Sequence, residues 1–247
     1  MATVAHLWRH PIKSHGREEL RSVTLETGRT MPGDRVWAVR HSASTADNSG
    51  WAPCANFSRG AKAPGLMAIN ATLADDGETL RLQHPDKPDL TFRPDDNPPE
   101  FFDWVQSLMP KERAASAQIL RVPGRGMTDT EYPSISLVNL SSHRAVAQKI
   151  GRDISARRWR ANIWLEGLAP WEEFEWIGRE LRLGGARLVI RDRIFRCLAT
   201  TASTRTGRRD ADTLAALNSG WGHQDFGLYA EVIEGGTVSQ QDRLELL

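Results

Sequence analysis

Between Arg191 and Asp210 the chain reads "RDRIFRCLATTASTRTGRRD", with one of its two cysteines, Cys197, directly behind Arg196. Neighbouring guanidinium groups, here Arg196 and Arg193, favour the thiolate, which is the form that binds metals and attacks electrophiles. Thr200, Thr201, Ser203, Thr204 and Thr206 follow, then Gly207; such hydroxyls and backbone freedom suit an anionic ligand. The plain alternatives are an inert thiol at the end of a buried strand, since free cysteine packs as a small hydrophobe, and an ordinary polar loop. A second polar pair points towards a site. In "RWRANIW", Arg160 and Asn162 are two residues apart, so on a strand both face one side and make a polar wall among apolar neighbours.

Other chemistries fit less well. His6 and His10 are four apart, yet Pro11 and a strand-like pattern argue against a metal-binding helix, and no glutamate follows His6. Neither a phosphate-binding Gly-Lys-Ser/Thr loop nor G-x-G-x-x-G is present. A phosphatase-type loop needs arginine six positions after its cysteine, where this chain has Ser203. A Cys–His nucleophilic pair stays open, because such partners meet in space and seven histidines make chance pairs common.

Arginines gather in three groups: Arg157, Arg158 and Arg160; Arg191, Arg193 and Arg196; Arg205, Arg208 and Arg209. Each can meet phosphate, whose oxygens the guanidinium fork matches, or be solvated surface. The net charge of +1 and the lack of a lysine-rich arm give no sign of a nucleic-acid partner. No apolar run of about 18 residues suggests a membrane span, and the N-terminus lacks a signal-peptide core, so a cytoplasmic protein with no membrane partner is expected. Two distant cysteines make no disulfide framework, and both are expected to be reduced.

The elements that must position these residues read mostly as short strands: 4–8, 34–40, 66–73, 79–83 and 90–93, with a hairpin at "ADDGE". The proline-rich "RPDDNPPE" leads into an amphipathic helix over 100–109. In the second half, strands are expected at 117–122, 134–140, 158–166 and 195–202, with a hairpin over 180–192 turning at Gly184-Gly185. Helices are expected from Ser141 or Ser142 to Gly151 and over 210–217, and a closing β-hairpin over 226–247. The pattern predicts a mainly β protein with a few short helices (α+β), organised as barrel-like β domains. Residues 1–95 form the first, 96–115 a linker with a short helix, and 116–247 the second. Trp8, Trp37, Trp159 and Trp164 fall on these strands and read as packing, whereas Trp171, Trp176 and Trp221 lie near loops where they line an entrance or anchor the chain.

The ordered series "HPIKS", "GDRVWAVR", "RANI", "RCLATTASTRTGRRD" and "FGLYAEVIEGGTVSQQDRLEL" resembles the MOSC family of molybdenum-cofactor-binding domains. It is similar to the members that carry an N-terminal β-barrel domain, as in the mitochondrial amidoxime-reducing component and its bacterial relatives. The resemblance implies an N-terminal β-barrel-like domain followed by a MOSC β-barrel domain. It gives Cys197 the role of thiolate ligand to molybdenum, and places Lys13, Ser14 and Arg35 at the pterin phosphate. Arg160 and Asn162 also fall at cofactor positions, as do Arg196 and Thr200 of the cysteine loop and Ser142 at a helix start. This chain departs from the family pattern at Phe195, Ala161, Ser203, Arg205 and His15-Gly16, and the changes after Cys197 bear on substrate choice.

What the resemblance implies chemically is a molybdenum cofactor (Mo-molybdopterin) and reduction of a small N-hydroxylated substrate, an amidoxime or hydroxylamine. Four clustered cysteines would be needed for an iron–sulfur cluster, and with only two in the chain, electrons are expected from a separate donor protein. Two other functions stay open: a carrier or storage protein for the cofactor, and a sulfur carrier with a persulfide on Cys197. Cys54, in "WAPCANF", has no motif and is expected to pack or sit in a loop.

Overall fold

The computed structural model describes residues 1–247. In the first half, β1 (Thr3–Arg9), β2 (Glu18–Leu20) and β3 (Ser22–Leu25) precede β4 (Trp37–His41) and the meander β5 (Asn70–Leu73), β6 (Leu80–His84) and β7 (Lys87–Phe92). Helix α1 (Pro99–Gln106) follows, and β8 (Ser116–Arg121) returns to pair antiparallel with β4. Strand β6 shows the period-two rule: Leu80, Leu82 and His84 are buried and Arg81 and Gln83 exposed. Phe101, Trp104 and Val105 put the buried stripe of α1 against the same core, at helical spacing.

The second half contributes β9 (Ile135–Asn139), α2 (Leu140–Ile150), β10 (Ile163–Glu166), β11 (Glu180–Leu183) and β12 (Ala186–Phe195). After α3 (Thr213–Trp221) come β13 (Asp225–Glu234), β14 (Gly236–Ser239) and β15 (Leu244–Leu246). One curled eight-stranded sheet runs in the order β15-β11-β12-β13-β9-β10-β1-β2. Strands β9 and β10 are parallel, which requires a crossover, and α2 supplies it. All five residues of β9 are buried, as in a strand covered on both faces.

Sheet pairing crosses between the halves. Strand β1 lies against β10, with Leu7 opposite Ile163, and β14 pairs with β3. Val4, Leu7, Leu25 and Met31 therefore belong to the 19-residue core of the large sheet. The chain leaves this sheet after residue 9 and turns sharply at Ile12–Gly16. That turn brings "PIKSHG" onto the boundary between the large sheet and the first-half core. Gly16 makes it possible: its φ is +86°, and a Cβ there would meet Ala71 Cβ at 2.6 Å. No helix is long and apolar enough to cross a membrane.

The fold is mainly β with three α-helices, as the sequence predicts, but several elements differ. Residues 226–247 do not close as a hairpin. Only Gly235 separates β13 from β14, too few residues for a two-residue turn, so the chain stays extended and moves to β3. Residues 195–202 do not continue as a strand: the Thr200 hydroxyl bonds back to the Cys197 carbonyl at 3.1 Å and the Thr201 hydroxyl to that of Leu198 at 2.8 Å. Such local bonds favour a turn, here a 3₁₀ segment over Leu198–Thr201. The strand expected from 158 begins only at Ile163, after a 3₁₀ turn over Ala156–Trp159 and a left-handed Arg160. Helix α2 is capped by the Asn139 side chain, which accepts from the Ser141 amide, and not by a serine.

Candidate functional site

A cavity of about 420 Å³ opens where the two halves meet. The first half supplies the turn at Lys13-Ser14, the corner at Arg35 and the segment from Cys54 to Ala61; the second supplies Arg158–Asn162 and the end of β12 through Thr200. Lys13, Ser14, Arg35, Arg160, Asn162, Arg196, Cys197 and Thr200 all line it. Six non-glycine residues in the protein have positive φ, and three of them, Ser14 (66°), Arg35 (51°) and Arg160 (51°), are in this lining. Each costs of order 1 kcal/mol and persists only where surrounding contacts over-determine it. Those contacts are visible: the Arg35 amide donates to His10 O at 2.7 Å, its carbonyl accepts from Met127 N at 2.7 Å, and its Nη2 donates to Arg160 O at 3.0 Å.

The lining is strongly cationic. Lys13, Arg35, Arg59, Arg158, Arg160, Arg193 and Arg196 face a single carboxylate, Asp129. Arg35 is compensated by the buried Asp34, whose second partner is His10, through the amide at 2.7 Å and Nδ1 at 3.1 Å. Burial opposes the Asp34 charge, but Arg35 and His10 hold its carboxyl well below the usual range. Burial and Arg160 together push His10 down to about 3, so the imidazole is neutral. Lys13 donates to Met127 O at 2.8 Å, Thr128 O at 3.1 Å and the Asp129 carboxylate. Asp129 is half exposed, but to the cavity, ringed by protein; burial would raise it, and Lys13 and Arg35 outweigh that to hold it at about 2.

Arg160 and Arg196 lack such compensation. Arg160 Nη1 donates to Gly16 O at 3.0 Å, and Arg196 donates to Phe226 O at 2.8 Å and Trp159 O at 2.7 Å. The Nη2 atom of each is buried without a hydrogen-bond partner, and neither forms an ion pair with a carboxylate. Burial, then Arg35 and Arg17, lower Arg160 to about 9; burial lowers Arg196 to about 10. Both remain charged at neutral pH, and buried charge of this kind calls for a counter-charge. Tyr229 completes the wall as a protonated phenol, its pKa raised by burial and by Asp129.

Cys197 is exposed at the end of this cationic wall, not sealed in hydrocarbon. Phe195 and Leu198 beside it are 70% and 48% exposed, so the thiol stands in an apolar rim. Its carbonyl accepts from both the amide and the hydroxyl of Thr200, each at 3.1 Å, and Thr200 is tied at 2.7 Å to Thr213. Asn162 is equally engaged: its Oδ1 accepts from Ser136 N and Oγ, and its Nδ2 donates to Trp8 O. Thr200 and Asn162 therefore brace the wall, leaving Ser14 and the guanidinium groups to face a ligand. No trio of His, Cys, Asp or Glu gathers anywhere to hold a metal.

Ser142 is not brought to the cavity. It is fully buried on α2, donates to Glu173 at 2.8 Å and accepts from the Trp171 amide at 2.9 Å. Burial pushes the Glu173 carboxyl up, partly offset by Asn139 and Ser142; this is a structural latch. Trp171 and Trp221 pack on each other, with centroids 4.6 Å apart, and like Trp176 do not line the cavity. Sequence reasoning missed Asp129, Tyr229 and Cys54. The Cys54 sulfur accepts from Arg59 Nη1 at 3.0 Å within the same lining, and "WAPCANF" carries no signal that would place it there.

Comparison with known proteins fits this two-part construction. The MOSC N-terminal beta barrel domain matches residues 1–117 and the MOSC domain residues 129–245. No curated protein matches the chain. Among solved structures, the YuaD protein from Bacillus subtilis is similar at 14% identity with a TM-score of 0.51, over 100% of this chain and 96% of that one, a likeness of fold. YiiM from Geobacillus stearothermophilus (19% identity, TM-score 0.36) and YiiM from Escherichia coli (20%, 0.35) each match over 46% of this chain and 53% of theirs. With the two domain matches covering almost the whole sequence in their expected order, the chain belongs to the MOSC family and carries its N-terminal β-barrel domain.

Proposed function

We propose that the cavity binds the molybdenum cofactor and that the protein reduces small N-hydroxylated compounds, amidoximes or hydroxylamines, in the cytoplasm with electrons from a separate donor protein. The observation that carries this reading is the pair of buried, unpartnered guanidinium Nη2 atoms at Arg160 and Arg196 in a lining that also holds an exposed thiol. An anionic, sulfur-rich cofactor fits both features: phosphate supplies the counter-charge, and a soft centre accepts the Cys197 sulfur. Family membership supports the same assignment.

When bound, the cofactor supplies the two-electron chemistry that removes oxygen from an N–O bond, a reaction that also takes up two protons and releases water. The chain's own residues bind, orient and shape. Arg35 and Arg160, which line the cavity, would neutralise the phosphate, and Ser14 in the same lining would donate a hydrogen bond to it. Lys13 fixes Asp129 and so sets the one negative charge in the lining. Cys197, the exposed thiol of the lining, would serve as the metal ligand, and Phe195 and Leu198 would give the substrate an apolar approach.

One observation favours a second reading, sulfur carriage: Cys54 lines the same cavity as Cys197, under Arg59. Freshly purified protein separates the two. Stoichiometric molybdenum and pterin, lost in Cys197→Ser while the fold is kept, together with benzamidoxime reduction from an artificial donor, are expected. Cyanide-labile sulfur without metal would establish the carrier instead, and bound cofactor without turnover would leave a cofactor-storage protein.

A further inference from the structure

Among the arginines that the sequence singles out, Arg157 and Arg205 do not line the cavity, and they meet elsewhere. On the far side of Arg158 an open groove of about 880 Å³ runs between the halves. Arg17 enters it from the first half, and Arg152, Arg157, Arg158 and Arg205 from the second. Its carboxylates are Asp89, Asp153 and Asp210. Asp89 is held by Arg81 at 2.5 Å, and Asp210 is taken by Arg158 at 3.1 Å and Arg152 at 3.7 Å. Arg17, Arg157 and Arg205 are left without an ion pair.

Arg17 is the most telling. It is 2% exposed, and its terminal nitrogens donate to Met67 O, Ile69 O and Thr204 O, while its Nε is buried with no partner. A guanidinium buried at a seam between two halves, with carbonyls for company and no carboxylate, is a charge awaiting compensation. Arg157 is exposed, with its guanidinium carbon 5.0 Å from the Trp8 ring centroid, which orients it without neutralising it.

We propose that this groove is a second ligand site, for a compact, hydrophilic, phosphate-bearing molecule such as a diphosphate or a sugar phosphate. Only two of its 17 lining residues are hydrophobic, and none is Phe, Tyr or Trp. The groove therefore offers no seat for an acyl chain. Arg157 and Arg205 provide guanidinium forks that match phosphate oxygens, and Asn70 on the opposite wall offers an amide to a hydroxyl. The site adjoins the thiol cavity through Arg158, which lines both and donates to Thr200 O at 3.0 Å. It does not depend on which cofactor the cavity takes.

The test is calorimetric titration of the full chain with inorganic pyrophosphate at low ionic strength. Saturable binding at the groove is expected, separable from any binding in the cationic cavity because Arg160→Gln weakens only the latter. Arg157→Gln and Arg205→Gln, both at exposed positions, should each weaken it about tenfold, while Arg160→Gln in the cavity changes it less than twofold. Absence of binding overturns the proposal. So does binding that survives both groove substitutions, or that falls as far in Arg160→Gln as in the groove variants, since pyrophosphate would then be occupying the cavity.

Discussion

The Arg35 guanidinium donates to the main-chain carbonyl of Arg160 across 3.0 Å, so two arginines from opposite halves of the sequence share one cavity wall while repelling each other. Their circumstances differ. Arg35 answers the buried Asp34 carboxylate, whereas Arg160 answers nothing. Arg35→Ala is expected to cost about 3 kcal/mol, because it strands a buried negative charge. Arg160→Ala should cost about 1 kcal/mol or less, the worth of one hydrogen bond to Gly16 O. Urea denaturation of the two variants checks the contrast, and equal losses would refute the ion-pair account.

Acid stability follows from three buried imidazoles. Burial is the first cause in each case, with nearby arginines adding to it, and holds His10 at about 3 and His15 and His143 at about 4. An unfolded chain protonates these groups near 6.5, so below that pH it binds protons that the folded protein refuses. Stability is thus complete above about pH 6.5 and falls as pH drops towards 4, by about 1.4 kcal/mol per pH unit for each histidine. Urea midpoints between pH 7 and 4.5 should slope accordingly, and His143→Gln should remove about a third of the slope. A flat profile from pH 6.5 to 5 would show that the imidazoles titrate freely.

What the sequence reveals, and what it conceals, divides along the range of the forces involved. Period-two burial in β6 and the 101/104/105 stripe of α1 are local and legible. The left-handed backbone at Arg160 is not, since it is fixed by contacts with Arg35 and Gly16, 125 and 144 residues away. Arg160 and Asn162 do line one cavity, but through a turn and not through strand alternation. Motif order brings out eight of the lining residues. Asp129, Tyr229 and Cys54 have neighbours in sequence that say nothing about the cavity, because only tertiary packing brings them there. Ser142 misleads for a related reason: its hydroxyl is consumed by Glu173, 31 residues on.

The two cysteines should react unequally. Cys197 is exposed, whereas Cys54 is partly covered and its sulfur accepts from Arg59 at 3.0 Å. Alkylation of cofactor-free protein by iodoacetamide, followed by peptide mass spectrometry, should label position 197 well before 54. Equal labelling in the unaltered protein would mean that the segment around Cys54 opens freely.

The loop after Cys197 is held against the first half by a contact that tolerates no side chain. Gly207 has φ +67°, and a Cβ there would lie 2.7 Å from Gly65 Cα and 3.0 Å from its carbonyl oxygen. Gly222, at the end of α3, has a similar φ of +74° but nothing within 4 Å. Replacing each by alanine separates backbone conformation from packing. Gly222→Ala should cost only the left-handed backbone penalty, about 1 kcal/mol, or roughly 3 °C in Tm for a protein of this size. Gly207→Ala must add displacement of a rigid backbone, for a total of about 3 kcal/mol and a fall in Tm two to three times larger. Because Arg209 also ties this loop to the first half, donating to Ala61 O at 2.8 Å and to Leu198 O at 2.5 Å, the displaced loop should carry Cys197 with it. Gly207→Ala should therefore alter the alkylation rate at Cys197 while Gly222→Ala leaves it unchanged; the same Tm fall in both variants would mean that the Gly65–Gly207 contact is slack in solution.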